Sequence, residues 1–217
     1  MRYEIKIPVQ KNNIMIMDEY LNSLKGLKKH HDNRFLCSIY YDTEKLSLAR
    51  LNIEGVSERY KFRVRWYDNN KSKFNYEIKK RKNKFGSKII FDSNINLDNT
   101  KIDKLFSKES PILKNLNGNE KFILMNYNLL PKLKISYERK YFIYKDKVRV
   151  TYDCPPEYEL MNNNSTKITD NNFVIEIKFS EDNYSEAMKL IKNNYFSAQR
   201  YSKYLKGLSL MGKVQYF

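Results

Sequence analysis

The sequence predicts an α+β domain built on an antiparallel sheet or barrel. Three observations carry that reading. Segments of polar–apolar alternation recur along the chain, helical stripes are grouped between and after them, and no low-complexity linker or solenoid-length repeat divides the sequence. With 217 residues, 41% hydrophobic and 14% aromatic, the chain can bury one sizeable core, and residues 1–217 read as a single domain.

Taken in order, Arg2–Val9 alternates as a strand, and Asn13–Lys29 sets Ile14, Met17, Tyr20, Leu21, Leu24 and Leu27 on one helical stripe. Phe35–Asp42 is the next strand. His30 and His31 fall between the two, in a basic stretch that reads as a loop with no third metal ligand in sight. Arg59–Tyr67 ("RYKFRVRWY") puts Tyr60, Phe62, Val64 and Trp66 on one face and Arg59, Lys61, Arg63 and Arg65 on the other. "DNNKS" joins it to Lys73–Arg81 as a hairpin, and "KDK" around Asp146 joins Lys134–Tyr144 to Lys147–Asp153 in the same way. Short helices are expected at Lys101–Phe106 and Glu120–Leu130, and a polar loop at 161–172 after Pro155-Pro156. Phe173–Phe179 is the last strand, followed by an amphipathic helix over Tyr184–Lys192 that starts at Asp182.

Forty-one Lys and Arg against 25 Asp and Glu give a net charge of +16, which attracts polyanions: nucleic acid, an anionic membrane surface or phosphorylated small molecules. A Lys- and Asn-rich composition accounts for part of that total, but not for where the arginines sit. Cys37 and Cys154 lack any CxxC spacing and read as two reduced thiols. The N-terminus has no continuous apolar region of a signal peptide, and no run reaches the roughly 18–20 apolar residues of a membrane span. The expectation is a soluble, cytoplasmic monomer, with a membrane-protein partner left open.

The chemistry lies in how acids and bases share faces. "YEIK" at Tyr3–Lys6, "YEIK" at Tyr76–Lys79 and "IEIK" at Ile175–Lys178 each project a Glu with a Lys: Glu4 with Lys6, Glu77 with Lys79, Glu176 with Lys178. Taken singly, such pairs are surface salt bridges of a few tenths of a kcal/mol. The arginine strands change the balance, because arginine is favoured where planar, bidentate grip on phosphate is wanted. Arg63 shares a face with Arg65, Arg149 shares one with Thr151 and Asp153, and Arg139 lies between Tyr137 and Tyr141 at two-residue spacing. Polar faces on strand after strand, each backed by an apolar face, fit a barrel with a polar lining. Phosphoryl transfer in such a lining needs positioning, charge stabilisation and a carboxylate for a hard divalent ion. No GxxxxGK[ST], GxGxxG, GxSxG or Cys–His constellation offers another chemistry.

"RYEIK", "SIYYDT", "EGVSERYKFRVRWY", "YEIKKR", "SYERKYF", "RVTYD", "VIEIKF" and "YSKYLKGL" follow one another from Arg2 to about Leu208. This series resembles the VTC domain, the catalytic domain of the vacuolar transporter chaperone complex, in a free-standing form, within the triphosphate tunnel metalloenzyme superfamily. The resemblance implies an antiparallel β-barrel tunnel of about eight strands flanked by helices. It also implies ATP-dependent synthesis of inorganic polyphosphate, with ATP and polyphosphate as ligands and Mn²⁺ or Mg²⁺ as the metal. By motif, Lys6, Arg63, Arg65, Lys79, Arg139, Arg149 and Lys203 would grip the triphosphate or polymer. Arg50, Tyr137, Lys178 and Ser202 would add contacts, and Glu176 and Glu4 would hold the metal. Nothing resembles the SPX domain or the membrane segments of the eukaryotic enzyme, so control by inositol phosphates and delivery across a membrane are not implied.

Two alternatives stay open. One is a tunnel phosphohydrolase acting on triphosphate or nucleotides, and the other is a non-catalytic module for polyphosphate or nucleic acid. A nucleic-acid binder would place aromatics among its basic residues and keep acids away. Here the aromatics of Arg59–Tyr67 lie mostly on the opposite face and Glu shares the basic one, so no nucleic-acid partner is expected.

Overall fold

The predicted hairpin turns show how closely local chemistry dictates this backbone. Asp68 and Asn69 both take positive φ (53° and 58°), as do Lys145 and Asp146 (48° and 59°). A tight turn with two successive left-handed residues matches the twist of the strands it joins, and Asn and Asp tolerate that conformation best. The computed structural model describes every residue except 1, 84, 94, 163–165, 193–196 and 217.

Among the described residues there are ten strands: β1 (Arg2–Gln10), β2 (Leu27–Asp42), β3 (Glu58–Tyr67), β4 (Phe74–Lys82), β5 (Phe85–Asp92), β6 (Leu130–Tyr144), β7 (Val148–Asp153), β8 (Glu157–Leu160), β9 (Lys167–Thr169) and β10 (Asn172–Ser180). The α-helices are α1 (Ile14–Ser23), α2 (Ser47–Ile53), α3 (Gly118–Asn126), α4 (Tyr184–Lys192) and α5 (Lys203–Leu210). The registers of β1 with β10, β10 with β7, β7 with β6, β2 with β3, β3 with β4 and β4 with β5 are all antiparallel. The α+β class holds, and among the described residues no helix is long and apolar enough to cross a membrane.

The chain forms two compact units. The first comprises Met1–Phe35, Tyr137–Glu157 and Thr169–Lys203, and the second Leu36–Ser136, Tyr158–Ile168 and Tyr204–Phe217. In the first unit the strands run β1–β10–β7–β6. Ile7, Val9, Val150, Tyr152, Ile175, Ile177 and Phe179 form the apolar face and pack with Met17 of α1 and Ala187 and Leu190 of α4. The Tyr20 hydroxyl donates to the Leu190 carbonyl at 2.5 Å, pinning α1 to α4. In the second unit the order is β2–β3–β4–β5. Tyr60, Phe62, Val64, Trp66, Tyr76 and Ile78 meet Leu48 of α2, Phe106, and Ile123 and Leu124 of α3. Phe106 lies within 5.5 Å, centroid to centroid, of Tyr41, Phe62 and Tyr76, so one ring locks three strands.

Eight strands make up the two orders just given, in keeping with the number expected, and the described residues add two short ones, β8 and β9. Several expectations are corrected. β8 and β9 are only four and three residues long, and β5 ("FGSKIIFD") is too exposed to show a clean pattern. α1 stops at Ser23, not Lys29: Gly26, at φ 95°, turns the chain, and residues 27–34 become a strand. His30 and His31 are therefore on β2, not in a loop. That half-strand is exposed, and Asn33 donates to Glu138 of β6 at 2.9 Å, so its side chains carry no apolar alternation to read. Lys101–Phe106 is a single 3-10 turn at Ile102–Lys104, and α3 ends before Leu130, which begins β6. Of the predicted loop at 161–172, residues 163–165 lie outside the described residues and Lys167–Thr169 is β9.

Candidate phosphate-binding faces

In each unit the strands turn their polar face away from the core just described. In the first unit, register places Glu4 opposite Lys178 and Lys6 opposite Glu176. Glu176 stands opposite Thr151, Lys178 opposite Arg149, and Arg139 opposite Asp153. One face therefore gathers Glu4, Lys6, Tyr137, Arg139, Arg149, Thr151, Asp153, Glu176 and Lys178. Alternation fixes which residues share the face, and antiparallel pairing fixes which neighbours meet.

Asp153 is fully buried there. Its Oδ1 accepts from Arg139 Nε at 2.5 Å, and its Oδ2 accepts from Arg139 Nη2 at 2.7 Å and Lys203 Nζ at 2.5 Å. Burial pushes the carboxyl pKa up, but Lys203 and Arg139 outweigh it and hold it below the usual range. The Tyr137 ring lies 5.5 Å from the Arg139 guanidinium carbon and 4.7 Å from Lys203 Nζ, close enough for cation–π attraction to both. Glu176 is 6% exposed and pairs with Lys178. Burial pushes its carboxyl up, and Lys6, Lys178 and Arg139 together bring it well below the ordinary value. Glu4 pairs with Lys6 at 3.1 Å and Lys178 at 3.8 Å, so Glu4 and Glu176 share one lysine. The Thr151 hydroxyl is buried and has no hydrogen-bond partner among the described residues. Arg149 is exposed, and Ser202 directly precedes α5.

The polar face of the second unit is built the same way. Glu77, 2% exposed, accepts from Arg63 Nε at 2.7 Å and lies 3.4 Å from Lys88 Nζ. Burial pushes the Glu77 carboxyl up, but the charges of Arg63, Arg65 and Lys88 bring it down to about 2. Arg63 Nη1 donates to the Tyr40 hydroxyl at 2.6 Å, and Arg65 Nε donates to Ser38 Oγ at 2.9 Å. Tyr40 stacks on Tyr204 at 4.8 Å, and the Tyr204 hydroxyl donates to Asp42 at 2.9 Å. Asp42 also accepts the Leu48 and Ala49 amides that open α2. Lys79 shares the face but is exposed, and Arg50 sits exposed on α2, not on a strand.

The expected residues thus fall into two groups. Lys6, Tyr137, Arg139, Arg149, Lys178, Lys203, Glu4 and Glu176, with Ser202 ahead of α5, belong to the first unit, and Arg50, Arg63, Arg65 and Lys79 to the second. The residues given no role in the site from sequence are the partners that hold them: Asp153, Glu77, Tyr40 and Ser38. The parity of Asp153 with Arg149 and of Glu77 with Lys79 was readable. The cross-strand partner of each carboxylate depends on register, which one strand does not reveal.

Among the described residues no three His, Cys, Asp or Glu side chains come together as a ready-made metal cage. Glu4 and Glu176 nevertheless suit Mg²⁺ or Mn²⁺. Such ions commonly take one or two carboxylates and complete their shell with water and substrate phosphate oxygens.

The overall architecture has counterparts among solved structures. HpAC1 from Hippeastrum, put forward as an adenylyl cyclase and described as having a dominant triphosphatase activity, is 16% identical, with a TM-score of 0.57 over 98% of each chain. A Vibrio parahaemolyticus protein put forward as an adenylate cyclase is 12% identical, with a TM-score of 0.53 over 96% of this chain and 97% of that one. The PH1819 protein of Pyrococcus horikoshii OT3 is 14% identical, with a TM-score of 0.51 over 97% and 98%. At these identities the likeness shows the fold alone. None of the curated sequences compared matches the chain. The chain belongs to the VTC domain family, whose model matches residues 1–212.

Proposed function

We propose that this chain is an ATP-dependent polyphosphate polymerase, working as one domain over 1–217 with its polar strand faces lining a closed barrel tunnel. The observation that carries this reading is the match to the VTC domain across residues 1–212, with arginines and lysines on the polar side of the strands it includes. A terminal oxygen of the growing chain attacks the γ-phosphorus of ATP. The bond from that phosphorus to the bridging oxygen breaks, and ADP leaves with the electron pair. Lys6, Arg63, Arg65, Lys79, Arg139, Arg149 and Lys203 hold the phosphates in line and spread the charge that builds on the transferring group. Arg50, Tyr137, Lys178 and Ser202 add contacts to the phosphate chain. Glu176 and Glu4 would hold Mn²⁺ or Mg²⁺, which when bound neutralises phosphate oxygens.

The test is incubation of pure protein with ATP and Mn²⁺, with products resolved on a gel and ADP measured. Long polyphosphate with matching ADP is the expected result. Orthophosphate alone would make the chain a phosphohydrolase, and binding of ATP or polyphosphate without turnover would make it a binding module.

A further inference from the structure

We propose that Asp153 is a positioning residue for phosphate binding, whose buried carboxylate holds Arg139 and Lys203 so that their remaining N–H donors meet a phosphate group. The inference rests on the functional reading above and adds to it the part that aims two of its cations.

A fully buried acid bridging two cations is a poor way to stabilise a fold, because desolvating the charges costs about as much as their attraction returns. The arrangement makes sense as preparation for a ligand. Asp153 takes Nε and one N–H of Nη2 from Arg139, in the bidentate geometry that fixes a guanidinium plane. Among the described residues Nη1 of Arg139 then makes no hydrogen bond, and Lys203 has given only one of its three N–H groups to a carboxylate. Lysine's long side chain carries substantial rotamer entropy. Freezing it beforehand is a cost that the arriving anion does not meet. Tyr137 confines both cations from a second side. Thr151 points to the same conclusion independently: two positions from Asp153 on the same face, its buried hydroxyl has no partner among the described residues. It stands opposite Glu176 and Tyr141, and its hydroxyl can donate to a phosphate oxygen that reaches the face.

The measurement is calorimetric titration with inorganic triphosphate at fixed ionic strength, without metal, on the wild type and on Asp153→Asn. The substitution makes the face more positive by one charge, so simple electrostatics predicts tighter binding. Positioning predicts binding at least about tenfold weaker in protein that circular dichroism shows to be folded. Equal or tighter binding overturns the proposal and leaves the functional reading intact. Absence of triphosphate binding by the wild type overturns both. If Asp153→Asn does not fold, Asp153→Glu decides, since it keeps the charge but moves the carboxylate by one methylene. Weaker binding is expected, and unchanged affinity overturns the proposal.

Discussion

Glu77 and Arg149 mark two ways in which single residues serve the proposed site. Glu77 is buried with Arg63, and its pKa of about 2 in the fold lies below the ordinary 4.5. A carboxylate depressed in this way contributes stability that is complete above pH 4.5 and is lost as pH falls toward 2. The melting temperature should therefore fall as the pH is lowered from 5 to 3. Glu77→Gln should start lower and show a shallower fall, having lost on the order of 3 kcal/mol at neutral pH. Arg149, exposed and with no partner among the described residues, can be removed without disturbing the core. Arg149→Ala should lower polymer synthesis at least about tenfold while stability stays within about 0.5 kcal/mol, read by parallel turnover and melting measurements. Glu176→Gln should raise the metal concentration needed for half-maximal activity more than it raises the requirement for ATP, as a metal titration at saturating nucleotide would show.

Among the elements, α5 is the one whose sequence conceals its role. "YSKYLKGL" gave no expectation of a helix, yet α5 buries Tyr204, Leu205 and Leu208 in the second unit. Its glycine is a packing requirement: a Cβ at Gly207 would lie 2.5 Å from Tyr158 Cδ1 and 2.7 Å from Leu133 Cδ2, against two buried side chains. Gly207→Ala should therefore destabilise by about 1–3 kcal/mol, despite alanine's better helix propensity, and lower the melting temperature by several degrees. The elements that were legible, β1, β3, β4, β7, β10 and α4, have a clean period of 2 or 3.6 because one face is buried and the other is wet. Those that were not, α2, β5 and the first half of β2, have weak or absent apolar stripes. They are held by backbone pairing and by an acceptor elsewhere in the chain, such as Asp42 for α2. The cations of the candidate site could be read from strand parity and family resemblance, since a lone strand shows which face an arginine takes. Their buried partners could not, because Arg139 meets Asp153 only once β6 and β7 have found their register.

At the scale of the whole molecule, a net charge of +16 suggests an unspecific magnet for polyanions. Many of its cations are already engaged: Lys6 with Glu4, Arg63 with Glu77, Arg139 and Lys203 with Asp153, Lys178 with Glu176. A bare basic surface collects small anions from solution, and a polyanion that binds there exchanges ions with the medium, so its affinity falls steeply as salt is added. Cations that carry their own carboxylates have little chloride to give up. Triphosphate affinity should accordingly decline with salt less steeply than the number of cations in contact would suggest, which isotherms at several potassium chloride concentrations would measure. Through its internal acids, the protein would remain a phosphate binder in a crowded ionic milieu where an unpaired basic patch would already have let go.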